Sequence, residues 1–487
     1  MLDVVDNFFS SISNFLWGYV LVFALLGVHL YLTLLLRVPQ RHLFRGIAYS
    51  LRRRAEGNSI SQYASLAVSL AANIGTGNIV GVAVGLAMGG PGAVFWCMLV
   101  GFLGMAARYS ESLLAVRYRQ LDDEGNLVGG PMYAIEKGLK CKWLAAAFAA
   151  CTAVAAFGVG NITQANAAAR VLNESAISVP TWFSGLLLAA LTGLVLLGGL
   201  RAIARVCSAF VPIMTLVYII ACVLVLGVHA EFVLPALERI WECAFTDQAA
   251  TGGFIGSTIM LAMQVGVKRG LFSNEAGMGS SAMASAAAST PNSVQQAVVA
   301  STAPFWDSVI LCTLTGVTLT TAALAEPYVL HVQEGDLIAF YAFGSAGGLG
   351  SMLLVFSLVT FVISSILAWS YFGERALQYL AGRRYIAHYR LAWVVAVFVG
   401  CIVPQSSLVW HFADCANALM AIPNLICMVA LSPVLLAETR RYLWSGRLDE
   451  VDETLLQPAP LVEEELPAAA PEVDEWDLQP AKKEKNI

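Results

Sequence analysis

Apolar residues fall along this 487-residue chain in long blocks separated by short polar or basic stretches. A helix needs ~20 mostly apolar residues to cross the hydrocarbon of a bilayer. By that measure the chain holds eleven, at 13–36, 62–87, 91–116, 143–169, 180–200, 206–228, 252–272, 296–325, 347–372, 390–405 and 408–436. The pattern predicts an all-α polytopic membrane protein with eleven transmembrane helices. Residues 40–58 and 326–345 read as short interfacial or extramembrane helices.

Two of the blocks are interrupted. The stretch AANIGTGNIVGVAVGLAMGG, Ala71 to Gly90, carries Gly75, Gly77 and Gly81 beside Asn73, Thr76 and Asn78 in the middle of an apolar run. Hydrocarbon offers no partner to the peptide groups that an unwound helix frees, so these must meet protein, water, ion or substrate. The stretch therefore predicts a discontinuous transmembrane helix, the element that holds substrate and coupling ions at the bilayer midplane in secondary transporters. A matching segment in the second half runs from Gln264 to Gly279. There Gln264 and Gly266 are expected just before the break, and Lys268, Arg269, Asn274 and Glu275 just after it.

Setting the first helix aside leaves ten, with one broken helix opening each group of five. An odd number of spans per half forces the halves into opposite orientation, which is a 5+5 inverted repeat. The expected organisation is an N-terminal transmembrane helix and basic segment at 1–60, a first five-helix repeat at 61–250, a second at 251–438, and a disordered acidic tail at 439–487. Lys and Arg accumulate on the cytoplasmic side of membrane proteins. MLDVVDNFFSS has neither, whereas Arg37, Arg41, Arg45, Arg52, Arg53 and Arg54 follow the first helix. The N-terminus is thus expected outside and the C-terminus in the cytoplasm. Alternation then leaves only Arg170 and Arg239 of the 28 basic residues on the outer side.

Composition agrees with a membrane protein, at 58% hydrophobic and 13% charged residues. The net charge of −5 reflects the acidic tail, and no nucleic-acid partner is implied. Ten scattered cysteines without a CxxC pair suggest neither a disulfide framework nor a metal site. No HExxH, GxSxG or metal-ligand cluster appears, so an enzyme is not expected. The first apolar run, Ser13 to Leu36, is too long for a signal-peptide core and lacks a basic leader, and it is kept as a transmembrane helix.

Five stretches, GTGNIVGVAVGLAMGGPGAVFW (Gly75 to Trp96), GGPMYAIEKGL (Gly129 to Leu139), GNITQANAAAR (Gly160 to Arg170), VKRGLFSNEAGMGSSA (Val267 to Ala282) and AWSYFGERAL (Ala368 to Leu377), resemble the alanine/glycine:cation symporter family. The resemblance extends to about Thr439. It implies a leucine-transporter-like fold with an extra helix before the core. It also implies sodium as coupling ion and a small neutral amino acid as substrate.

A zwitterion needs donors for its carboxylate and acceptors for its ammonium, and an unwound helix supplies both from its two half-helix ends. Thr76, Gly77 and Asn78 sit where the carboxylate would dock, and carbonyls around Gln264 to Gly266 are expected to face the ammonium. Gln164 and Asn166 put amides into an apolar helix and are candidates for the pocket. Phe272 and Trp369 are candidate walls. Ser364 and Ser365 resemble the paired hydroxyls that this fold sets against carbonyls of the first broken helix, here around Ala72 and Gly75, to hold sodium. Lys268, Arg269 and Glu275 are expected near the cytoplasm, as an anchor or an inner gate.

The expected activity is sodium-coupled symport of alanine or glycine into the cell by alternating access, in the plasma (inner) membrane. The bilayer is the only other partner implied, with no obligate protein partner. A proton-coupled amino-acid carrier is the alternative, and Asp307 or Asp414, ionisable groups at membrane depth, would then be essential; otherwise both are read as structural or water-cavity residues. A channel would instead show a repeated filter or rings of like charge. Neither is visible in the sequence.

Overall fold

A computed structural model describes residues 2–52, 59–175, 178–246, 258–331, 337–404 and 406–455. In chain order its main helices are α1 (Val4–Leu35), α2 (Gln62–Asn73), α3 (Gly77–Gly89), α4 (Gly92–Arg117), α5 (Lys142–Glu174), α6 (Thr181–Leu196), α7 (Gly199–Val228), α8 (Ile259–Asn274), α9 (Ser293–Ala325), α10 (Gly348–Ala381), α11 (Arg383–Ile402) and α12 (Ser407–Ala430). Among the described residues eight of these, α1, α4, α5, α7, α9, α10, α11 and α12, are long and apolar enough to cross a membrane. The pair α2 and α3 makes a ninth when taken as one span bent by 49°. Helices α6 and α8, of 16 residues each, fall short of that length, although both lie in blocks expected to span. The block that contains α8 starts among residues 247–257, outside the described chain. One antiparallel hairpin, β1 (Gln120–Leu121) with β2 (Leu127–Val128), follows α4.

Local chemistry sets the helix ends. Ser61 caps α2 by accepting the Ala64 N–H at 3.0 Å, and Thr258 caps α8 by accepting the Leu261 N–H at 3.1 Å. Wider π-helical turns interrupt α5 at Gly158–Ile162 and α9 at Phe305–Cys312. Such turns recur at functional sites because the extra residue re-aims the side chains around it.

The first break falls where the glycines predict it. Ile74 leaves helical geometry with ψ 89°, and the helix resumes at Gly77. A Cβ on Gly75 would sit 2.5 Å from Ser365 Oγ and 2.8 Å from Gln164 Oε1, so these two side chains reach the backbone only because no side chain stands there. The second break lies later than expected. Helix α8 runs without interruption through Gln264, Gly266, Lys268 and Arg269, and the chain turns only at Glu275 (φ 54°), Gly277 (φ 90°) and Gly279 (φ 82°). The helix then restarts as the short Ala282–Ala286.

Helix α4 packs along α8, α10 packs against α5 and α7, and α6 packs against α11. The segments flanking the two broken helices meet at one end of the bundle. Ile60 forms a parallel bridge with Ala288, its N–H donating to Ala287 O at 3.1 Å while its carbonyl accepts the Ser289 N–H at 2.8 Å.

The expected disordered tail begins too early at 439. Thr439–Trp444 is helical, and the following turn docks on the start of α9. Asn292 Nδ2 donates to the carbonyls of Leu448 (2.9 Å) and Glu450 (2.8 Å), and Leu448 and Leu455 are buried. These distant amide donors and apolar neighbours order a segment whose own composition is polar. Residues 456–487 of the expected tail lie outside the described chain. Of the short helices expected at 40–58 and 326–345, Leu43–Ser50 and Ile338–Gly344 are present, while 53–58 and 332–336 are outside the described residues.

Candidate functional site

The last carbonyls of any α-helix lack partners within it, and those of α2 end inside the protein. Ser365 Oγ on α10 donates to Ala71 O at 2.9 Å and lies 3.3 Å from Ile74 O. Ser364, rotated by about 100° on the same helix, faces elsewhere: its hydroxyl returns to Phe361 O at 2.8 Å and lies 3.4 Å from Met214 Sδ on α7. Only one hydroxyl of the expected pair therefore reaches the break. The carbonyls it meets are those of Ala71 and Ile74, each one residue before the expected Ala72 and Gly75.

On the other side of the break the backbone offers donors. The Thr76 N–H donates to Gln164 Oε1 at 3.0 Å, and Gln164 is itself held by its Nε2 donating to Val159 O at 3.0 Å in the π turn of α5. The Gly75 N–H donates to Asn78 Oδ1 at 3.0 Å. Thr76 Oγ1 is buried without a hydrogen-bond partner. A buried hydroxyl left so is costly, and a polar ligand beside it would satisfy it.

Behind Asn78 lies a carboxylate. Asn78 Nδ2 donates to Asp307 Oδ1 at 2.7 Å, Ser308 Oγ to Oδ2 at 2.8 Å, and Ser273 Oγ lies 2.9–3.0 Å from both oxygens. Asp307 is fully buried, and each of these partners is neutral. The two breaks are joined nearby. Asn73 Nδ2 donates to Asn274 O at 2.9 Å, Arg108 Nη2 to the same carbonyl at 2.5 Å, and Asn274 Nδ2 to Ser308 Oγ at 2.9 Å.

Aromatic groups close the site. A Cβ on Gly77 would lie 3.3 Å from the Phe272 ring, and Phe272 packs on Trp410 with ring centroids 4.9 Å apart. Trp369, one turn beyond Ser365 and so on the same face of α10, is fully buried against Gly160, where a Cβ would overlap its ring. Thr76, Gly77, Asn78, Gln164, Phe272, Trp369 and Ser365 are thus gathered around the first break and the helices that face it.

Other expected site residues stand apart from it. Gln264 Nε2 donates to Gly18 O on α1, and Gly266 is pressed against the Ala93 carbonyl of α4. Because α8 is unbroken there, the backbone around them stays within the helix and frees no carbonyl for a ligand. Asn166 donates to Gly400 O (3.0 Å) and Val403 O (2.8 Å), which fastens α5 to the end of α11. Lys268 and Arg269 precede the break, on the far side of it from the Ile60–Ala288 bridge. Lys268 Nζ pairs with Asp414 at 2.6 Å and donates to Ser13 Oγ at 3.1 Å. Arg269 lies 3.9 Å from Asp414 and stacks over Trp410 at 5.0 Å. Glu275, in the second break, instead accepts from Ser280 Oγ at 2.6 Å. The three are two separate groups, because the acid that lies beside both bases is Asp414 on α12.

Two residues at the site, Ser273 and Arg108, escape the sequence reading, and a third, Asp307, is read there without its partners. Ser273 carries no signal beyond being polar. Arg108 reads as the first of a run of inner-face basic residues, yet it is buried. Asp307 announces itself by its charge in an apolar run but not by its partners.

A discontinuous helix with a hydroxyl on its freed carbonyls, an amide on its freed N–H and a buried acid behind it is transporter architecture. The sequence model of the sodium:alanine symporter family matches residues 2–454. This chain belongs to that family. It is a multi-pass membrane transporter and not an enzyme. It is 40% identical over 445 residues to the sodium/alanine symporter AgcS of Methanococcus maripaludis, an alignment covering 89% of this chain and 96% of AgcS. It is 31% identical to the probable sodium/glutamine symporter GlnT of Bacillus subtilis, covering 91% of each. Among solved structures, a variant of the Eremococcus coleocola manganese transporter superposes with TM-score 0.51 at 16% identity, over 80% of this chain and 82% of that one. That likeness speaks for the fold alone.

Proposed function

We propose that this symporter carries sodium and a small neutral amino acid, alanine or glycine, together into the cell by alternating access. The observation that carries the reading is the break at Ile74–Thr76, which leaves carbonyl oxygens on one side and N–H groups on the other within reach of Ser365 and Gln164. The half-helix ends suit a zwitterion, with N–H groups of α3 for the carboxylate and carbonyls of α2 for the ammonium. Thr76 Oγ1 is a free partner for the same ligand. Phe272 against Gly77 and Trp369 against Gly160 narrow the space, which supports a small side chain. Sodium is a hard cation that takes oxygen ligands, and Ser365 Oγ with the carbonyls of Ala71 and Ile74 fits it. One Na⁺ moving down ~100 mV releases about 2.3 kcal/mol before any concentration gradient.

With the N-terminus outside, the Ile60–Ala288 bridge closes the cytoplasmic end and the Lys268–Asp414 pair with Trp410 closes the outer end. Alternating access needs both closures, each able to open while the other holds.

Proton coupling is the second reading, favoured by Asp307. A buried carboxylate whose hydrogen-bond partners are all neutral is costly to ionise, which makes Asp307 the candidate to carry a proton. Uptake of labelled alanine into proteoliposomes decides: replacing sodium with choline should abolish it, and an imposed pH gradient without sodium should not restore it. Uptake that persists in choline overturns the sodium mechanism. Uptake restored by the pH gradient means proton coupling, and loss of that uptake in Asp307→Asn would assign it to Asp307.

A further inference from the structure

Ile60 meets only part of the segment that follows the second break. Its partners there are Ala287 O and the Ser289 N–H. The carbonyls of Ala286 and Ala288 turn to Arg119 instead, whose Nη1 donates to Ala288 O at 2.8 Å and lies 3.3 Å from Ala286 O. Arg119 stands just past the end of α4 and before β1, and it is buried together with both alanines. Gly129, after β2, admits the contact: a Cβ there would lie 2.7 Å from Ala286 Cβ and 3.0 Å from Arg119 Cβ.

Among the described residues no carboxylate forms an ion pair with this guanidinium. A buried cation without a counter-ion is costly, and the negative end of α4 offsets only part of that. A neutral amide would serve a purely structural contact at less cost. What the charge adds is strength in each hydrogen bond, about twice that of a neutral pair. The side chains that α2 sends to the same segment are neutral, with Ser65 Oγ donating to Ala284 O at 3.0 Å and Gln62 Nε2 to Thr290 Oγ1 at 3.1 Å. The strong tie therefore runs to α4, and the weaker ones run to the helix that must draw away if the bridge is to part.

We propose that Arg119 is the positioning residue of this closure: it holds Ala286–Ala288 in the register that Ile60 needs, and so sets how often that end of the transporter opens. The inference rests on reading the Ile60–Ala288 bridge as one of the two closures of alternating access. When α2 draws away, Ile60, Gln62 and Ser65 leave together, while Arg119 keeps the segment against α4 with its free groups aligned for return. A segment left loose would lose conformational freedom each time it paired with Ile60, so holding it in place favours the closed state.

Ser69 lies on α2 between Ile60 and the first break, is 2% exposed, and bonds only to Ser65 O of its own helix. A cysteine there is shielded while the bridge holds and meets water when it parts. The full chain carrying Ser69→Cys, read against the same chain with its ten native cysteines alone, is treated with a membrane-impermeant maleimide in right-side-out and inside-out vesicles, without sodium or alanine. Ordering the backbone of one residue costs about tenfold in an equilibrium constant, so Arg119→Gln should raise the labelling rate about tenfold, from one side of the membrane alone. Arg119→Lys keeps the charge but not the fork, and its rate should be raised only about threefold; it carries the test if Arg119→Gln does not fold. Unchanged labelling in these variants overturns the proposal, and so does an equal rise from both sides, which would mean that the whole bundle has loosened. Ile60→Pro, which removes the N–H that donates to Ala287 O, separates the two layers of the reasoning. Faster labelling in Ile60→Pro without any in the Arg119 variants leaves the closure standing and removes Arg119 from it, whereas no change in any of them removes the closure itself.

Discussion

Ser364 and Ser365 are neighbours in sequence whose hydroxyls meet different carbonyls, and replacing each with alanine tests the proposed sodium ligand against a helix hydroxyl. Ser365 Oγ is the side-chain oxygen that touches the carbonyls of Ala71 and Ile74. An oxygen facing a charged partner contributes about 1.5–3 kcal/mol. At 1.4 kcal/mol per tenfold, Ser365→Ala should raise the sodium concentration for half-maximal uptake by about tenfold to about a hundredfold. The hydroxyl of Ser364 bonds back to Phe361 O on its own helix. Ser364→Ala should therefore cost about 1 kcal/mol of stability at most and leave the sodium requirement unchanged. The assay is initial uptake of labelled alanine into proteoliposomes across a sodium titration, with thermal unfolding of each purified variant as the control for folding. Equal shifts in both variants, or a shift in Ser364→Ala alone, would refute the assignment of the ion to the Ala71–Ile74 carbonyls.

The remaining expectations use the same uptake assay. Asn78→Ala removes the acceptor of the Gly75 N–H and the donor to Asp307, and should abolish uptake while the protein remains in the membrane; wild-type kinetics would contradict the site. Asp307→Asn keeps the shape and removes the charge, and should lose the response to whichever cation gradient drives transport; an unaltered sodium and pH dependence would remove Asp307 from the coupling. Gly75→Ala places a methyl 2.5 Å from Ser365 Oγ and 2.8 Å from Gln164 Oε1, and should cost more activity than Gly18→Ala, where nothing lies within 4 Å; equal activity would deny that the break is tightly surrounded. Asp414→Asn strands the buried Arg269 and the half-buried Lys268 and should destabilise by up to about 3–5 kcal/mol, with Lys268→Met restoring part of the loss in the double variant; a double variant worse than the single would show that the pair is not what holds α8 to α12.

The two breaks explain how far this molecule can be read from its residues. At Ala71 to Gly90, glycines and amides interrupt an otherwise apolar run, and the structure unwinds among them, because every group that signals the break is local. At Gln264 to Gly279 the cue misleads. Lys268 and Arg269 look like the point where a membrane helix must stop, yet α8 continues through both, since Asp414, nearly 150 residues further on, pairs with Lys268 and lies beside Arg269, which also stacks on Trp410. A long-range ion pair removes the penalty that a lone charge would carry, and nothing in the segment itself announces the partner. The chain turns instead at the NEAGMG run, where three residues adopt positive φ and the glycines make that conformation inexpensive. Direction is the other property that composition hides. Ser364 and Ser365 are chemically alike, and only the rotation of α10 against α2 decides that one meets the freed carbonyls and the other its own helix. Asn166 and Gln164 divide in the same way, the first to α11 and the second to the Thr76 N–H. Local unwinding is therefore legible wherever backbone and side chain signal it together, whereas each assignment that depends on which face a helix presents needs the packed structure.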